Sequence, residues 1–307
     1  METKPALKNV HAFWNTEACG TYFVQQFEDE KDFFEKFREN RYRTEWHIPL
    51  LMPFAQAKGK SVLKIGTGNG ADGAVFALEG AHYTGVDLTD AALEATRKHF
   101  QVFGLPGTFQ HENAEQLSFP DASFDLVYSH GVLHHTPNTQ RAIDEVWRVL
   151  KPGSQAIIML YYKRSFNYFV RILTYMRLRV LLKILLRAGR WSADRRRLAA
   201  DEILGVRGNT DRQVWEIHYG NFLKAGWSYL QARNFVHHCT DGPECPVAFA
   251  FNQAEARRLF ARFAEVQIKV AHFPIRKYSS GQWVPFGVEK LLASTLGWYL
   301  FIFATKP

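Results

Sequence analysis

Between residues 61 and 160 short apolar runs alternate with amphipathic stretches at a regular spacing. Ser61 to Ile65, His82 to Val86, Thr108 to His111, Phe124 to Tyr128 and Gln155 to Leu160 have the length and apolar character of strands. Ala71 to Leu78, Asp90 to Phe103 and Asn138 to Leu150 carry helical periodicity, and Gly80 and Lys151-Pro152-Gly153 punctuate the first and the last. Phe124 to Tyr128 is apolar almost throughout, as a strand covered on both faces must be. Strands alternating with helices predict an α/β fold: a doubly wound, mostly parallel, Rossmann-like sheet with helices on both sides.

Outside that stretch the pattern changes. Residues 1–58 read as a helical cover with clustered aromatic residues, and 59–162 form the α/β core. Residues 163–245 show no convincing strand and read as an inserted helical cap, basic and aromatic. Residues 246–307 complete the core with a helix over Gln253 to Phe263 and strands over Glu265 to Phe273 and Trp298 to Thr305.

Composition narrows the class. A chain of 307 residues, 47% hydrophobic and 22% charged, buries a substantial core and is not globally disordered. The net charge of +8 is local: between Lys163 and Arg197 eleven Lys/Arg face one acid, Asp194, so the remainder is close to neutral. The most apolar run, Tyr168 to Ala188, carries five cations, which a spanning helix would have to drag through hydrocarbon. Three cysteines (Cys19, Cys239, Cys245) make no disulfide framework, and with no secretory leader the expectation is a reducing, cytoplasmic compartment.

The chemistry concentrates after the first strand. Gly66-Thr67-Gly68-Asn69-Gly70 joins a strand to a helix, where backbone N–H groups can approach a nucleotide-like ligand. Asp87 closes the second strand, where a carboxylate can accept both hydroxyls of a ribose. Gly66-x-Gly68-x-x-Ala71 also satisfies the dinucleotide fingerprint, so the loop alone leaves a nicotinamide dinucleotide and S-adenosylmethionine both open.

Three further stretches separate them. Asn113-Ala114-Glu115-Gln116-Leu117 through Phe124-Asp125-Leu126-Val127, then Ser129-His130-Gly131-Val132-Leu133-His134-His135, then Arg148-Val149-Leu150-Lys151-Pro152-Gly153, follow the loop in order. Together these motifs resemble the class I S-adenosylmethionine-dependent methyltransferases, densely over Ser61 to Leu160 and weakly at the carboxyl-terminal end. The resemblance implies S-adenosylmethionine as cofactor. Gly66, Thr67, Gly68 and Gly70 would pass under its methionine and ribose portions. Asp87 would bind the ribose hydroxyls, Leu88 would lie against the adenine, Asn113 and Ala114 would meet the adenine edge, and Ser129 would sit near the methionine end. Two positions depart from the family pattern. Lys64 stands where an acid is usual, and Asn113 where Asp is common.

His134 has two readings: a general base near the acceptor, resembling the Leu-His of some small-molecule O-methyltransferases, or a brace for the turn. Tyr42, His135, Tyr161 and Tyr162 are candidate walls of the acceptor pocket. His130 and His134 have the i, i+4 spacing that could face a metal, but no acid or cysteine nearby completes the set, and His237-His238-Cys239 with Cys245 reads as a cap loop, so no metal is expected. The cap could close as a lid, or residues 163–197 could contact an anionic membrane surface; no nucleic-acid partner is expected. The expected activity is methyl transfer to a small hydrophobic or aromatic molecule, at O, N or C. The alternatives are a non-catalytic or membrane-associated cofactor-binding relative and, less favoured, a nicotinamide-dependent oxidoreductase.

Overall fold

A computed structural model describes residues 7–16, 24–198, 211–277 and 281–307. Eight strands form one sheet: β1 Ser61–Ile65, β2 His82–Asp87, β3 Thr108–His111, β4 Phe124–His130, β5 Leu150–Tyr162, β6 Ala250–Phe251, β7 Glu265–Ala271 and β8 Tyr299–Thr305. The order is β3-β2-β1-β4-β5-β8-β7, with β6 paired to the end of β5. β1 to β5 are parallel, and β8 runs antiparallel between β5 and β7.

Alternate residues of the central strands feed two cores. Val62, Tyr128, Ile157, Met159 and Phe301 pack on one side, and Leu63, Val127, Ile158, Leu160 and Ile302 on the other. This two-sided burial is why these strands read as unbroken apolar runs. The helices Ala71–Leu78, Asp90–Val102 and Thr139–Val149 lie where the periodicity puts them. β5 begins earlier than expected, at Leu150. The Lys151-Pro152-Gly153 stop signal lies within it, at a register shift against β4 where Gly153 has φ +73°.

The helix Phe286–Leu296 has no counterpart in the sequence reading. Val288 and Leu291 on its exposed side are as apolar as its inward positions, so no periodic contrast marks it.

The amino-terminal segment covers the strand ends. The helix Glu30–Thr44 is capped by Asp29, whose side chain accepts the Asp32 N–H. It packs through Phe34, stacked on His99 at 4.2 Å between ring centroids. The described residues after β5 are helical: π-wound over Asn167–Met176, then α-helical over Arg177–Leu186, followed by Trp191–Leu198 and Asp211–Ala225. No helix among the described residues is long and apolar enough to cross a membrane. Cys19 lies outside the described residues.

Candidate active site

A cavity of about 1500 Å³ opens at the carboxyl ends of β1, β2, β4 and β5. At one end is the glycine loop. Gly66 has φ +80°, and a Cβ there would come within 2.1 Å of Val132, so this turn admits only glycine. Gly68, at φ +59°, has no atom within 4 Å of a would-be Cβ, so its backbone is open to a close-lying ligand.

Asp87 organises that end. Its carboxylate accepts the Thr67 N–H at 2.8 Å and the Thr89 N–H at 3.0 Å, tying the loop to the start of the next helix. The Thr89 and Thr67 hydroxyls donate to it at 2.8 and 3.4 Å. These four donors match the roughly four lone-pair sites of a carboxylate. Any further donor to this carboxylate would have to displace a threonine hydroxyl. Leu88, Asn113 and Ala114 line the same wall. The Asn113 carbonyl accepts the Glu115 N–H at 3.0 Å and keeps its other lone pair.

Below the loop lies a buried ionic network that carries no local sequence signal. Arg41 donates to both oxygens of Asp72, Nε–Oδ1 3.0 Å and Nη2–Oδ2 2.9 Å, while its Nη1 reaches Glu45 at 2.9 Å. Tyr42 and Tyr128 donate their hydroxyls to the same Asp72, at 3.3 and 3.1 Å. Lys64 points beneath the loop, donating to the Gly66 carbonyl at 2.9 Å, with its amine 4.7 Å from the Tyr128 ring centroid. Burial pushes this amine down to about 8 against the opposing pull of Asp72. The cation at the unusual position is thus held by the loop's own carbonyl.

At the other end the cavity is aromatic. Tyr161 and His135 line it, joined by Asp241 from the cap. Tyr161 donates its hydroxyl to Asp241 at 3.2 Å, and Asp241 Oδ2 lies 3.5 Å from His135 Nε2. His135 Nδ1 is 2.7 Å from the Val247 carbonyl, an acceptor only, so Nδ1 carries the proton and Nε2 the lone pair. From the amino-terminal side Trp14 meets the His135 ring edge-on, at 5.0 Å.

Of the residues singled out from sequence, Gly66, Thr67, Gly68, Asp87, Leu88, Asn113, Ala114, His135 and Tyr161 come together on this cavity. Five do not. Gly70 caps the helix behind the loop at φ +85°, and Ser129 braces β4 on β1 through the Ile65 carbonyl at 3.0 Å. Tyr42 is held behind the wall by Asp72. Tyr162 follows Tyr161 on a strand, so its side chain enters the opposite core.

His134, read from sequence as either a base or a brace, does not line the cavity. It is 0% exposed, lies behind the lining, and packs its ring 3.8 Å from that of Tyr161. Burial, then His135 and His130, hold its imidazole well below the usual range.

This strand order, with one antiparallel strand inserted beside β5 and a glycine loop facing an acid on β2, defines the class I, Rossmann-like methyltransferase fold. Residues 63–158, about a third of the chain, match the family described as "Methyltransferase domain". Among curated proteins the chain is similar to a demethylmenaquinone methyltransferase of Clavibacter sepedonicus, 32% identical over 37% of this chain and 46% of that one. It is also similar to the phthiotriol/phenolphthiotriol dimycocerosates methyltransferase of Mycobacterium tuberculosis, 40% identical over 31% of this chain and 35% of that one. The chain thus spans less than half the length of these relatives. Among solved structures, the complex of the Haloferax volcanii Trm112 methyltransferase activator contains a chain alike in fold: TM-score 0.50, 16% identity, covering 92% of this chain and all of that one.

Proposed function

We propose that the protein is an S-adenosylmethionine-dependent methyltransferase that methylates a small hydrophobic acceptor at a hydroxyl. The observation that carries this reading is the single cavity joining the Gly66–Asp87 end to the aromatic end around Tyr161 and His135. The cofactor fits the first end: an open Gly68 backbone, a carboxylate whose threonine donors can be displaced, and an apolar Leu88 wall. When bound it supplies an electrophilic methyl group.

The chain's own residues do the rest. Asp87 takes the ribose hydroxyls, and Leu88, Asn113 and Ala114 hold the adenine. The aromatic end excludes water and aligns the acceptor oxygen with the methyl. His135, whose Nε2 is buried 3.5 Å from Asp241, would turn toward the acceptor to take the hydroxyl proton, and Asp241 would stabilise the resulting imidazolium. Hydrophobic acceptors agree with the names of the relatives, one of which is the ubiquinone biosynthesis O-methyltransferase of Aromatoleum aromaticum, 35% identical over 32% of this chain and 42% of that one. Methyl-labelled S-adenosylmethionine offered with a panel of hydrophobic phenols and quinols tests the proposal. Label should enter an organic-soluble product and depend on His135. Label retained in the cofactor for every acceptor, with the cofactor bound, would return the chain to a binding role.

Segment 163–245 acts in this reading as the lid, since Phe166, Arg171 and Asp241 from it line the cavity. Its outer face suits a membrane surface: Leu178, Leu182 and Leu186 are 59%, 58% and 78% exposed beside Arg177. Peripheral docking on an anionic bilayer would let the acceptor enter from lipid. Salt-sensitive sedimentation with anionic vesicles supports it, and equal partition to neutral vesicles opposes it.

A further inference from the structure

One group of side chains on the cavity wall has no part in the methyl-transfer reading. Glu45, His47 and His272 converge from the end of the helix Glu30–Thr44 and from the end of β7. One ligand atom of each lies within 4.8 Å of the others. Glu45 and His272 face the cavity, while His47 is 2% exposed behind them. We propose that Glu45, His47 and His272 form a binding site for one divalent transition-metal ion, with a coordination position open to the cavity.

Three observations of different kinds meet here. First, both ring nitrogens of His47 are buried without a hydrogen-bond partner. Buried imidazole nitrogens are normally satisfied, so an orphaned ring calls for an explanation such as an ion. Its neighbours are the rings of Tyr299 and Phe301, at 5.8 and 5.3 Å.

Second, the carboxylate is already aimed. Arg41 Nη1 holds Glu45 Oε2 at 2.9 Å, and His130 Nε2 lies 3.4 Å from Oε1. Outer partners of this kind orient metal-binding carboxylates.

Third, His272 has φ +69°, a left-handed conformation unusual for a residue with a side chain. It places the imidazole flat on Tyr299, 4.2 Å between centroids and 8° between planes, at the cavity edge.

The distances allow it. Ligands each about 2.1 Å from a tetrahedral ion lie about 3.4 Å from one another, so inward side-chain adjustments of up to about 0.8 Å close the site. Two imidazoles and one carboxylate with a free position suit zinc, iron(II) or cobalt(II), and leave room for an oxygen ligand. On the proposed acceptor class, that oxygen is the acceptor's hydroxyl, which the ion would polarise as a Lewis acid.

Two other groups meet the same distance criterion and are weaker candidates. In His135–Asp241–Cys245 the donors are engaged: His135 Nδ1 with the Val247 carbonyl, and the Cys245 thiol with the same carbonyl at 3.3 Å. In His11–Asp90–His111 two of the three residues are exposed, where acidic and imidazole groups commonly gather without an ion.

The test uses the full chain after chelation and desalting, titrated with cobalt(II) and followed by visible absorption, then displaced with zinc(II). One equivalent should bind per chain, without S-adenosylmethionine present, so the outcome is independent of the methyl-transfer reading. His47→Phe keeps a ring in the aromatic box, and His272→Asn keeps a residue tolerant of positive φ. Each should weaken binding by about 100-fold or more, beyond the 10–100-fold typical of losing an outer partner. His82→Ala, on an exposed strand end, should leave it unchanged. Absence of stoichiometric binding overturns the site, as does binding that survives in His272→Asn. Loss in Cys245→Ala alone would move the ion to the other cluster and equally overturn it. Should His47→Phe not fold, His272→Asn decides.

Discussion

Arg41 is predicted to be the most costly single residue to remove from the amino-terminal cover. Its guanidinium makes two bonds to Asp72, of 3.0 and 2.9 Å, and one to Glu45 of 2.9 Å. Arg41→Leu leaves Asp72, 2% exposed, with only two tyrosine hydroxyls and the nearby Lys64. Breaking one side of a buried pair costs about 3–5 kcal/mol. Unfolding entropy of about 2.1 cal/mol/K per residue over 307 residues amounts to about 0.65 kcal/mol/K, so the melting temperature should fall by about 5–8 °C. Asp72→Leu should cost less, because Arg41 keeps Glu45. The double variant should be more stable than the two losses added together, because neither charge is then stranded. Calorimetric melting of the four proteins measures this cycle directly. Strict additivity, or a shift below about 1 °C for Arg41→Leu, would show that the network holds no coupling and that the cover is fixed by apolar packing alone. The pair also has a pH signature. Arg41 overcomes burial and lowers the Asp72 carboxyl to about 2 from 3.8, so its contribution is present above about pH 4 and lost as pH falls toward 2.

Other outcomes follow from the site. Asp87→Ala should weaken S-adenosylhomocysteine binding by about 1.5–3 kcal/mol, roughly 10- to 150-fold, while Thr89→Val should leave it equal or tighter by vacating a lone pair for the ribose; titration calorimetry decides, and the reverse order would displace the ribose site. Lys64 is destabilising when charged: its folded value of about 8 lies below 10.5, so its contribution to stability rises with pH between these values, and Lys64→Met should abolish that slope in pH-dependent melting. His135→Gln should lower kcat by about 10²–10⁴-fold with the fold intact, whereas His134→Asn should act on melting temperature before catalysis; equal kinetic losses in both would reinstate His134.

The sheet was readable from sequence because both its faces are buried and its strands alternate with helices of clear period. Five strand positions and the glycine loop follow from that pattern within a few residues. Placement of individual side chains did not, because it turns on single-residue direction. Tyr161 and Tyr162 differ only in strand parity, fixed by the pairing of Tyr161 with Tyr299 on a strand far along the chain. His134 and His135 sit on a three-residue 3₁₀ turn, where one step carries a side chain from lining to core. Arg41 and Asp72 meet across 31 residues with no motif to connect them. Lys64 looked disruptive beside a cofactor, since sequence alone could not show the Gly66 carbonyl that accepts from it.

The account's central claim is that the Gly66–Asp87 end of the cavity holds S-adenosylmethionine. Titration calorimetry of the whole chain with S-adenosylmethionine, S-adenosylhomocysteine and NAD tests it before any acceptor is known. The account predicts one site for each of the first two, lost in Asp87→Ala, and no heat with NAD. Saturable binding of NAD without S-adenosylhomocysteine binding, or no heat with any of the three, would contradict it.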